Sequence, residues 1–178
     1  MAPISAQKPE WAREAPRRFW DPGRKLLKAI RDYQRVIDTT GPLQRIRLKF
    51  IALRHRFWSV ITQCDIPVTC KIGGGLLLPH PTGIVIHPDA VIGPNCLLMH
   101  QTTLGSVAGA AELPVLGGHV DVGPGAKILG PVTLGDHAVV GANAVVVRAV
   151  AACEIVGGVP AKPIGRNTAY ESPLKIRA

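Results

Sequence analysis

Cysteine and histidine are the residue types in this chain whose spacing could indicate a metal site, a disulfide framework or a reactive thiol. The 178 residues include four cysteines and six histidines. No Cys-x-x-Cys pair and no zinc-finger spacing of Cys and His occurs, and the cysteines do not have the pattern of a disulfide framework. Cys70 and Cys96 occupy a repeated position that alanine fills elsewhere, which predicts that they pack in the core as small apolar side chains.

The elements that must position any active residue follow a six-residue repeat between Ile86 and Val147. Each unit begins with an aliphatic residue, often followed by glycine, and has a small residue at its fifth place, as in Ile92-Gly-Pro-Asn-Cys-Leu97. A sustained period of this kind predicts a coil of stacked repeats. The aliphatic starts share one phase and are Ile86, Ile92, Leu98, Leu104, Leu116, Val122, Ile128, Leu134, Val140 and Val146.

The predicted coil is a triangular prism, in which three six-residue units make one turn and each unit adds a short parallel strand to one wall. The first residue of a unit points inward, and Pro94-Asn95, Pro124-Gly125 and Ala142-Asn143 occupy corners. With 47% hydrophobic but only 4% aromatic residues, the core must consist of Val, Ile, Leu and Ala. Such coils bury their faces by stacking and need caps at both ends.

The repeat has two interruptions and a predicted end. Three units precede Ile86, but two extra residues fall around Thr82-Gly83-Ile84 before the phase resumes. A second interruption spans Ser106 to Pro114, and the repeat ends after Val147. Departures from such a pattern are usually loops on one face, often the binding face. The three earlier units begin at Ile66, Ile72 and Leu78.

Most of the 21 Lys and Arg residues lie in the N-terminal third, which we interpret as an irregular arm followed by a hairpin of two amphipathic, basic helices. The first helix should start at Asp21-Pro22, with Asp21 as N-cap, and the second near Pro42. The hairpin should cap the coil, and contact with a membrane surface is the alternative to packing on its own protein. The apolar residues of the two helices are Leu26, Leu27, Ile30, Tyr33, Val36 and Ile37, then Leu43, Ile46, Leu48, Ile51, Leu53, Phe57, Val60 and Ile61.

The formal net charge of +9 admits anionic partners, but no nucleic-acid reader motif is present. No apolar run approaches the roughly 18 residues of a membrane span, and the start of the chain lacks the apolar stretch of a signal peptide. We therefore expect a cytoplasmic protein that does not bind nucleic acid. It should comprise an arm and hairpin (1–63), a β-helix (64–166) and a C-terminal tail (167–178).

From Cys64 to Arg166 the chain resembles the serine O-acetyltransferases, a family of left-handed parallel β-helix acyltransferases built from hexapeptide repeats. The resemblance implies a mainly β fold with a left-handed coil, use of acetyl-CoA without a metal, and a homotrimer or a dimer of trimers. The matching segments are Asp65-Ile66-Pro67, Leu78-Pro79-His80-Pro81-Thr82-Gly83-Ile84-Val85, Thr103-Leu104-Gly105, Gly123-Pro-Gly-Ala-Lys-Ile-Leu-Gly130 and Gly158-Val-Pro-Ala-Lys162.

The resemblance implies that His80, in His80-Pro-Thr-Gly83, is the catalytic base and that Asp65 is its partner. An alcohol is a poor nucleophile near neutral pH, and an imidazole within hydrogen-bond reach can take its proton as it attacks a thioester. The aspartate would hold the tautomer and stabilise the imidazolium. By the same resemblance, Thr82, Gly83 and Glu112 line the acceptor site. The positions matching the CoA groove between subunits are Gly105, Gly123, Gly141, Ala142 and Lys162.

The loop after Thr103-Leu104-Gly105 departs from the family, where it ends in an Arg-His-Pro that helps to hold serine. Here it ends in Glu112-Leu113-Pro114, and Pro79 stands where the family has an aspartate before the catalytic histidine. A serine carboxylate would meet a glutamate of like charge. We therefore expect acetyl transfer to a hydroxyl acceptor, with a sugar in polysaccharide assembly as the alternative to serine. The ending Lys175-Ile-Arg-Ala178 predicts no cysteine synthase complex.

Two other classes of protein remain as alternatives. Related β-helix proteins are zinc-dependent γ-type carbonic anhydrases, which use histidines that converge across a subunit interface. Here His119 and His137 are 18 residues apart and should stack on successive coils rather than converge, and a non-catalytic scaffold is the third reading. The histidines that raise the zinc question are His87, His100, His119 and His137.

Overall fold

The structure, a computed structural model, describes residues 4–107 and 112–170. Within these ranges two α-helices precede thirteen short strands. The helices are α1 (Pro22–Val36) and α2 (Gln44–Thr62), with single 3-10 turns at Trp11–Arg13 and Thr168–Tyr170. The strands are β1 (Lys71–Ile72), β2 (Val85–Ile86), β3 (Val91–Ile92), β4 (Leu97–Leu98), β5 (Thr103–Gly105), β6 (Val115–Leu116), β7 (Asp121–Val122), β8 (Lys127–Leu129), β9 (Thr133–Leu134), β10 (Val139–Val140), β11 (Val145–Val146), β12 (Glu154–Gly157) and β13 (Lys162–Arg166).

The strands form three sheets that the chain visits in rotation. Sheet A contains β2, β5, β8 and β11, sheet B contains β1, β3, β6 and β9, and sheet C contains β4, β7, β10, β12 and β13. All pairings are parallel except that of β12 with β13. Each passage through the three sheets closes one coil, so the predicted triangular prism is confirmed.

The pairing register measures each coil and locates both interruptions. Val115 pairs with Thr133, 18 positions later, as the repeat predicts. Lys71 pairs with Val91 across 20 positions, because the first interruption adds two residues. Val91 pairs with Val115 across 24 positions, because the second adds six. Extra residues therefore leave the coil as loops without disturbing the stacking of the walls.

The interior of the prism confirms the predicted inward positions. Every aliphatic start from Ile86 to Val146 is at most 2% exposed. The small fifth residues, including Cys70, Cys96 and Ala126, are equally buried. At the corners Asn95 and Asn143 adopt left-handed backbone with φ of 61° and 55°, a conformation that asparagine tolerates better than most residues.

The coil continues beyond Val147, where the sequence predicted its end. Val150 forms a parallel bridge to Leu134, and β12 pairs with β10 in a register of only 16 positions, with Ile155 opposite Val139. The prediction was wrong because this last coil is two residues short and so leaves the phase of the repeat, although Val150 still points inward and is 5% exposed.

Helix α1 closes the first coil through Leu26, Leu27 and Ile30, which are buried in the same cluster as the interior of the prism. Asp21 precedes this helix but makes no side-chain cap, contrary to prediction. Its carboxylate instead accepts from the backbone N–H of Arg17 (3.1 Å) and pairs with the Arg24 guanidinium (3.4 Å). These contacts fix the turn between the arm and α1.

The N-terminal arm follows the edge between sheets B and C, which the sequence did not predict. The side chain of Asn95 is fully buried beneath it, accepts from the backbone N–H of Glu10 (2.8 Å) and donates to the carbonyls of Ser5 and Lys8 (2.7 and 2.8 Å). A Cβ on Gly118 would lie 1.7 Å from the Ala6 carbonyl oxygen. Only glycine therefore admits the arm at that point.

The arm is also joined to the coil by a buried ion pair. Arg31 of α1 donates to both carboxylate oxygens of Glu14 at 2.8 and 2.9 Å, and both side chains are 7% exposed. Glu14 also accepts from the backbone N–H of Gly75 (3.0 Å), and Arg31 donates to the Gly73 carbonyl (2.6 Å). One pair thus connects arm, helix and first coil.

Helix α2 packs against α1 but leaves an apolar stripe on its outer side, defined here as the α2 stripe. Phe50 is 69% exposed and Val60 is 71% exposed, whereas Ile51 and Thr62 are the buried residues of the helix. The described helices include none long and apolar enough to cross a membrane. The stripe consists of Leu43, Ile46, Phe50, Leu53, Phe57, Val60 and Ile61.

Candidate functional site

The edge between sheets C and A, called the C–A edge, consists of residues 79–83, 99–102, 123–126 and 141–144 from successive coils. Backbone hydrogen bonds join these turns along the axis of the prism. Gln101 N–H donates to the Thr82 carbonyl (2.9 Å), Gly125 N–H to that of His100 (2.9 Å), and Asn143 N–H to that of Pro124 (2.8 Å). Residues far apart in sequence therefore form one continuous line.

His80 is exposed at the first-coil end of the C–A edge. The turn that follows it contains the two extra residues of the first interruption and includes Gly83 at φ 70°. This turn is fixed from below, because Gly83 N–H donates to the Gln63 carbonyl (2.9 Å) and the Cys64 thiol donates to the Pro81 carbonyl. The imidazole is thus presented to solvent from a backbone that is held in place.

Asp65 lies on sheet A directly beneath this turn. Its N–H donates to the Ile84 carbonyl (2.8 Å) and its carbonyl accepts from Ile86 N–H (2.9 Å). Ile66 points into the core, so the Asp65 carboxylate points outward and is exposed. Among the described residues no hydrogen bond joins it to His80. Catalytic hydrogen bonds often shorten only when substrate binds, so the predicted pairing stays a prediction.

A second imidazole accompanies the first. His100 lies on the next coil of the same edge, and its ring is perpendicular to that of His80, with the centroids 6.4 Å apart. Its Nδ1 is buried without a hydrogen-bond partner in the described part of the chain. From the sequence, His100 was a candidate metal ligand only. Its place beside His80 could have been predicted from the length of the first coil, because residues 20 positions apart stack on each other there.

Three of the predicted CoA positions, Gly123, Gly141 and Ala142, line the same edge further along the axis. Gly123 and Gly141 occupy equivalent corners of successive coils, and a Cβ on Gly123 would lie 2.8 Å from the backbone N of Ala142. Lys162 pairs with Gly157 on the terminal hairpin of sheet C, and its strand β13 lies three strand spacings beyond β7, the strand before Gly123. At about 4.8 Å per spacing, the line from His80 to Lys162 extends about 24 Å, long enough for an extended thioester arm.

Two predicted positions lie elsewhere in a single chain. Gly105 ends a sheet A strand, and its carbonyl accepts from Gly130 N–H (2.9 Å) at the edge between sheets A and B. Glu112 is exposed shortly before Val115 enters sheet B, which is that same edge. The structure therefore brings Thr82 and Gly83 to His80 but not Glu112, and positions 108–111 lie outside the described residues.

A cavity of about 870 Å³ opens beside His80. The coil contributes Leu77 to Thr82, the end of α2 contributes Ile61 and Thr62, and the arm covers the opposite side. Four arginines line the cavity, three from the arm and one from the start of α1, and none of them was predicted from the sequence to belong to the site. The irregular spacing of these arginines in the sequence does not indicate a common site, because only the path of the arm brings them together. They are Arg13, Arg17, Arg18 and Arg24.

His119 and His137 stack on successive coils, as predicted, with Nδ1 atoms 3.0 Å apart and Tyr170 parallel to the His137 ring. Burial first, and then the neighbouring His137 and Arg13, lower the pKa of His119 to about 4. In the described ranges no group of three or more His, Cys, Asp or Glu side chains is arranged to hold a metal ion.

All four cysteines are buried and free of disulfides. Burial raises the pKa of the Cys70 and Cys96 thiols to about 12, so neither is a thiolate near neutral pH. The prediction that these two residues fill the core is confirmed.

Comparison with known proteins gives a consistent result over the coil. The chain is 38% identical over 113 residues to serine acetyltransferase of Mycobacterium tuberculosis, which covers 62% of this chain and 49% of that protein. It is 39% identical over 110 residues to serine acetyltransferase of Escherichia coli K12, covering 61% and 40%. The chain thus spans about half the length of these relatives or less. No protein-family model matches it.

Solved structures extend the likeness to the helices. Serine acetyltransferase of Neisseria gonorrhoeae superposes with a TM-score of 0.71 at 32% identity, covering 87% of this chain and 58% of that one. A serine acetyltransferase in complex with CoA gives 0.67 at 29% identity, covering 82% and 57%. The left-handed β-helix expected from the motifs is confirmed by these neighbours. The chain is therefore similar to the serine acetyltransferases over its coil and part of its helical region.

Proposed function

We propose that this protein is an O-acetyltransferase that uses acetyl-CoA and employs His80 as general base. The observation that carries the proposal is the C–A edge, which aligns an exposed imidazole with Gly123, Gly141 and the approach to Lys162. Similar solved structures contain CoA in one case and serine in another. A groove along this edge would hold the thioester arm mainly through backbone groups, with its carbonyl beside His80.

The reaction that this arrangement supports is a single acyl transfer. His80 takes the proton of the acceptor hydroxyl as its oxygen attacks the thioester carbonyl, so that a C–O bond forms. The C–S bond then breaks, and the imidazolium returns the proton to the departing thiolate. Asp65 would stabilise the imidazolium from the adjoining strand. These steps account for every bond and proton of the acyl transfer without a metal or a redox cofactor.

The acceptor has two candidates. Serine is the substrate named for the relatives, and the arginines near His80 offer a cation for its carboxylate that the Glu112 loop lacks. A sugar hydroxyl is the second candidate, favoured by Glu112 and Leu113 where the family has arginine and histidine.

We infer a homotrimer for the assembly. In one chain Glu112 and His80 lie at different edges of the prism, so a loop on one subunit meets an active edge only on a neighbour. A dimer of trimers would need a further surface, for which the exposed α2 stripe is available. The absence of a cysteine synthase complex remains a prediction, since its basis at residues 175–178 lies outside the described ranges.

The proposal is tested by thiol release from acetyl-CoA with serine and with sugars as acceptors. His80→Ala should lower kcat by about 100- to 10,000-fold, the contribution usual for a positioned base. His87→Ala is the matched control, since His87 follows β2 at a different edge. Full turnover by His80→Ala would exclude His80 as the base. Stoichiometric zinc would favour the carbonic anhydrase reading, and no turnover with any acceptor would favour a scaffold.

A further inference from the structure

We propose that the arginine-lined cavity beside His80 binds a phosphate or diphosphate group on the acceptor. This inference rests on the proposed acetyl transfer and narrows its substrate class to phosphorylated hydroxyl compounds. The cavity, of about 870 Å³, joins His80, Pro81 and Thr82 to the arm, so a bound anion and a reacting hydroxyl can belong to one molecule.

The side chains around the cavity leave a surplus of positive charge. Asp21 is the one carboxylate in the lining, and it pairs with Arg24 at 3.4 Å. The guanidinium groups of Arg17 and Arg18 are exposed and make no ion pair with the described residues. Guanidinium groups match phosphate oxygens in bidentate geometry.

Arg13 provides a second, independent observation. Its Nη1 is buried and has no hydrogen-bond partner within the described ranges, although this residue lines the cavity. A buried guanidinium donor without an acceptor is costly. Burial raises the pKa of Asp121, and the charge of Arg13 opposes that shift. An anionic ligand oxygen in the cavity would satisfy the free donor.

The position of the cluster separates it from the expected cofactor phosphates. Gly123, Gly141 and Lys162 extend from His80 toward the C-terminal coils, whereas the coil residues that line the cavity, Leu77 to Thr82, belong to the first coil. The far end of the thioester arm would be about 24 Å from His80 along the edge. Arg13, Arg17 and Arg18 make no ion pair with the described residues, and three guanidinium groups carry more positive charge than one serine carboxylate can balance.

The experiment compares acceptors that differ only by phosphate, with thiol release from acetyl-CoA as the readout. The pairs are glycerol with glycerol 3-phosphate and glucose with glucose 1-phosphate. The phosphorylated member should have a kcat/KM about 10- to 100-fold higher, the range for one or two hydrogen bonds to a charged group. UDP-glucose and a short-chain polyprenyl diphosphate glucose in detergent then distinguish a nucleotide-linked from a lipid-linked phosphate.

The variant Arg17→Gln/Arg18→Gln should remove this preference by raising the KM for the phosphorylated acceptor about tenfold or more. The KM for acetyl-CoA and the rates with glycerol and glucose, which carry no anionic group, should not change. Arg45→Gln/Arg47→Gln is the matched control, because it removes the same charge from the start of α2, away from the cavity. Equal loss in both double variants would mean a general charge effect and would overturn the assignment.

Two outcomes separate this inference from the proposed function. If serine and unphosphorylated sugars are acetylated through His80 and the Arg17/Arg18 variant is unaffected, the phosphate site is wrong while the function stands. If no acceptor is acetylated, calorimetry with inorganic pyrophosphate decides. Binding that is lost in the arginine variant and kept in His80→Ala supports the site without the reaction. A raised KM for acetyl-CoA in the arginine variant would assign the cluster to the cofactor instead.

Discussion

His80 and His100 lie one coil apart on the C–A edge but in different surroundings. His80 is exposed and free to approach a hydroxyl, whereas Nδ1 of His100 is buried without a partner. A neutral imidazole donates a hydrogen bond from one ring nitrogen and accepts one at the other. The groups that contact each ring therefore decide which nitrogen carries the proton. The outward-pointing Asp65 carboxylate is the group that can set this choice for His80.

Asp65→Asn tests that role. The amide keeps the shape of the carboxylate but cannot stabilise an imidazolium, so kcat should fall by about 10- to 1,000-fold with the KM for acetyl-CoA unchanged. Steady-state kinetics of thiol release measure both constants. Glu154→Gln, which changes an acid on the terminal hairpin, is the control. A variant with the kcat of the wild type would show that Asp65 does not act through His80.

His119 makes stability depend on pH in a defined window. Its pKa of about 4 in the folded chain is below the 6.5 of an ordinary histidine, so the unfolded chain binds more protons between these values. Stability is therefore complete above about pH 6.5 and falls as the pH is lowered toward 4. His137, Asp136, Arg13 and Tyr170 are the groups around this ring.

His119→Asn removes the titration while keeping the left-handed corner, where φ is 53° and where the preceding coil has Asn95 with φ of 61°. Between pH 7.5 and pH 5 the wild type should lose about 2 kcal/mol more free energy of unfolding than the variant. Urea unfolding at both pH values measures the difference. The same pH dependence in both proteins would disprove the assignment to His119.

At the scale of the elements, the corners of the coil differ in what they tolerate. A Cβ on Gly123 would meet the backbone of Gly141 and Ala142 at 2.8 to 2.9 Å, whereas one on Gly105 would meet only side-chain carbons at 3.5 Å. Gly123→Ala should lower the free energy of unfolding by about 1–3 kcal/mol, and Gly105→Ala by less than about 1 kcal/mol. Thermal and urea unfolding of the two variants measure the difference. Equal losses of unfolding free energy would show that close stacking of Gly123 on Gly141 and Ala142 is not what limits substitution there.

Helix α2 has five Lys and Arg residues and no Asp or Glu. Within the described part of the chain, only Arg54 among them pairs with an acid, Asp32. Two copies of the α2 stripe would bring like charges together, whereas an anionic lipid surface complements both the stripe and its charges. We expect the protein to sediment with phosphatidylglycerol vesicles and not with phosphatidylcholine vesicles.

The double variant Phe50→Ser/Leu53→Ser should abolish sedimentation with phosphatidylglycerol vesicles, because both side chains are about two-thirds exposed in the stripe. High salt should weaken binding by the wild type. If the variant instead reduces the oligomer mass in light scattering, the stripe is a contact between chains and the lipid prediction is wrong.

The coil could be predicted because its determinants are local and repeat. Each aliphatic start, from Ile86 to Val146, faces inward regardless of distant contacts. The path of the arm could not be predicted, because Asn95 has the sequence pattern of an ordinary corner residue. Its hydrogen bonds to Ser5, Lys8 and Glu10 are evident only in the structure. Arg17 and Arg18 reach the site by the same path, and the Asp21 carboxylate contacts the backbone N–H of Arg17 and the Arg24 guanidinium instead of capping α1.

At the scale of the whole molecule, arm, helices and coil form one body through the Glu14–Arg31 pair. Arg31→Met would leave a buried carboxylate without its cation and should lower the free energy of unfolding by about 3–5 kcal/mol. Arg35→Met, one turn later, breaks only an exposed contact with Asp32 at 3.7 Å and should cost less than about 1 kcal/mol. Urea unfolding of both variants tests this, and similar losses would contradict a special role for the buried pair.

The stacked turns of the C–A edge also fix the distance between its two ends. Each 18-residue coil raises the edge by about 4.8 Å, so the number of coils between His80 and Lys162 sets the reach available to an acyl donor. Removing residues 123–140 would keep every wall in register and every corner in phase while moving Lys162 one step toward His80. In a solenoid, the number of repeats thus determines the length of acyl donor that fits along the edge, independently of the residues at either end.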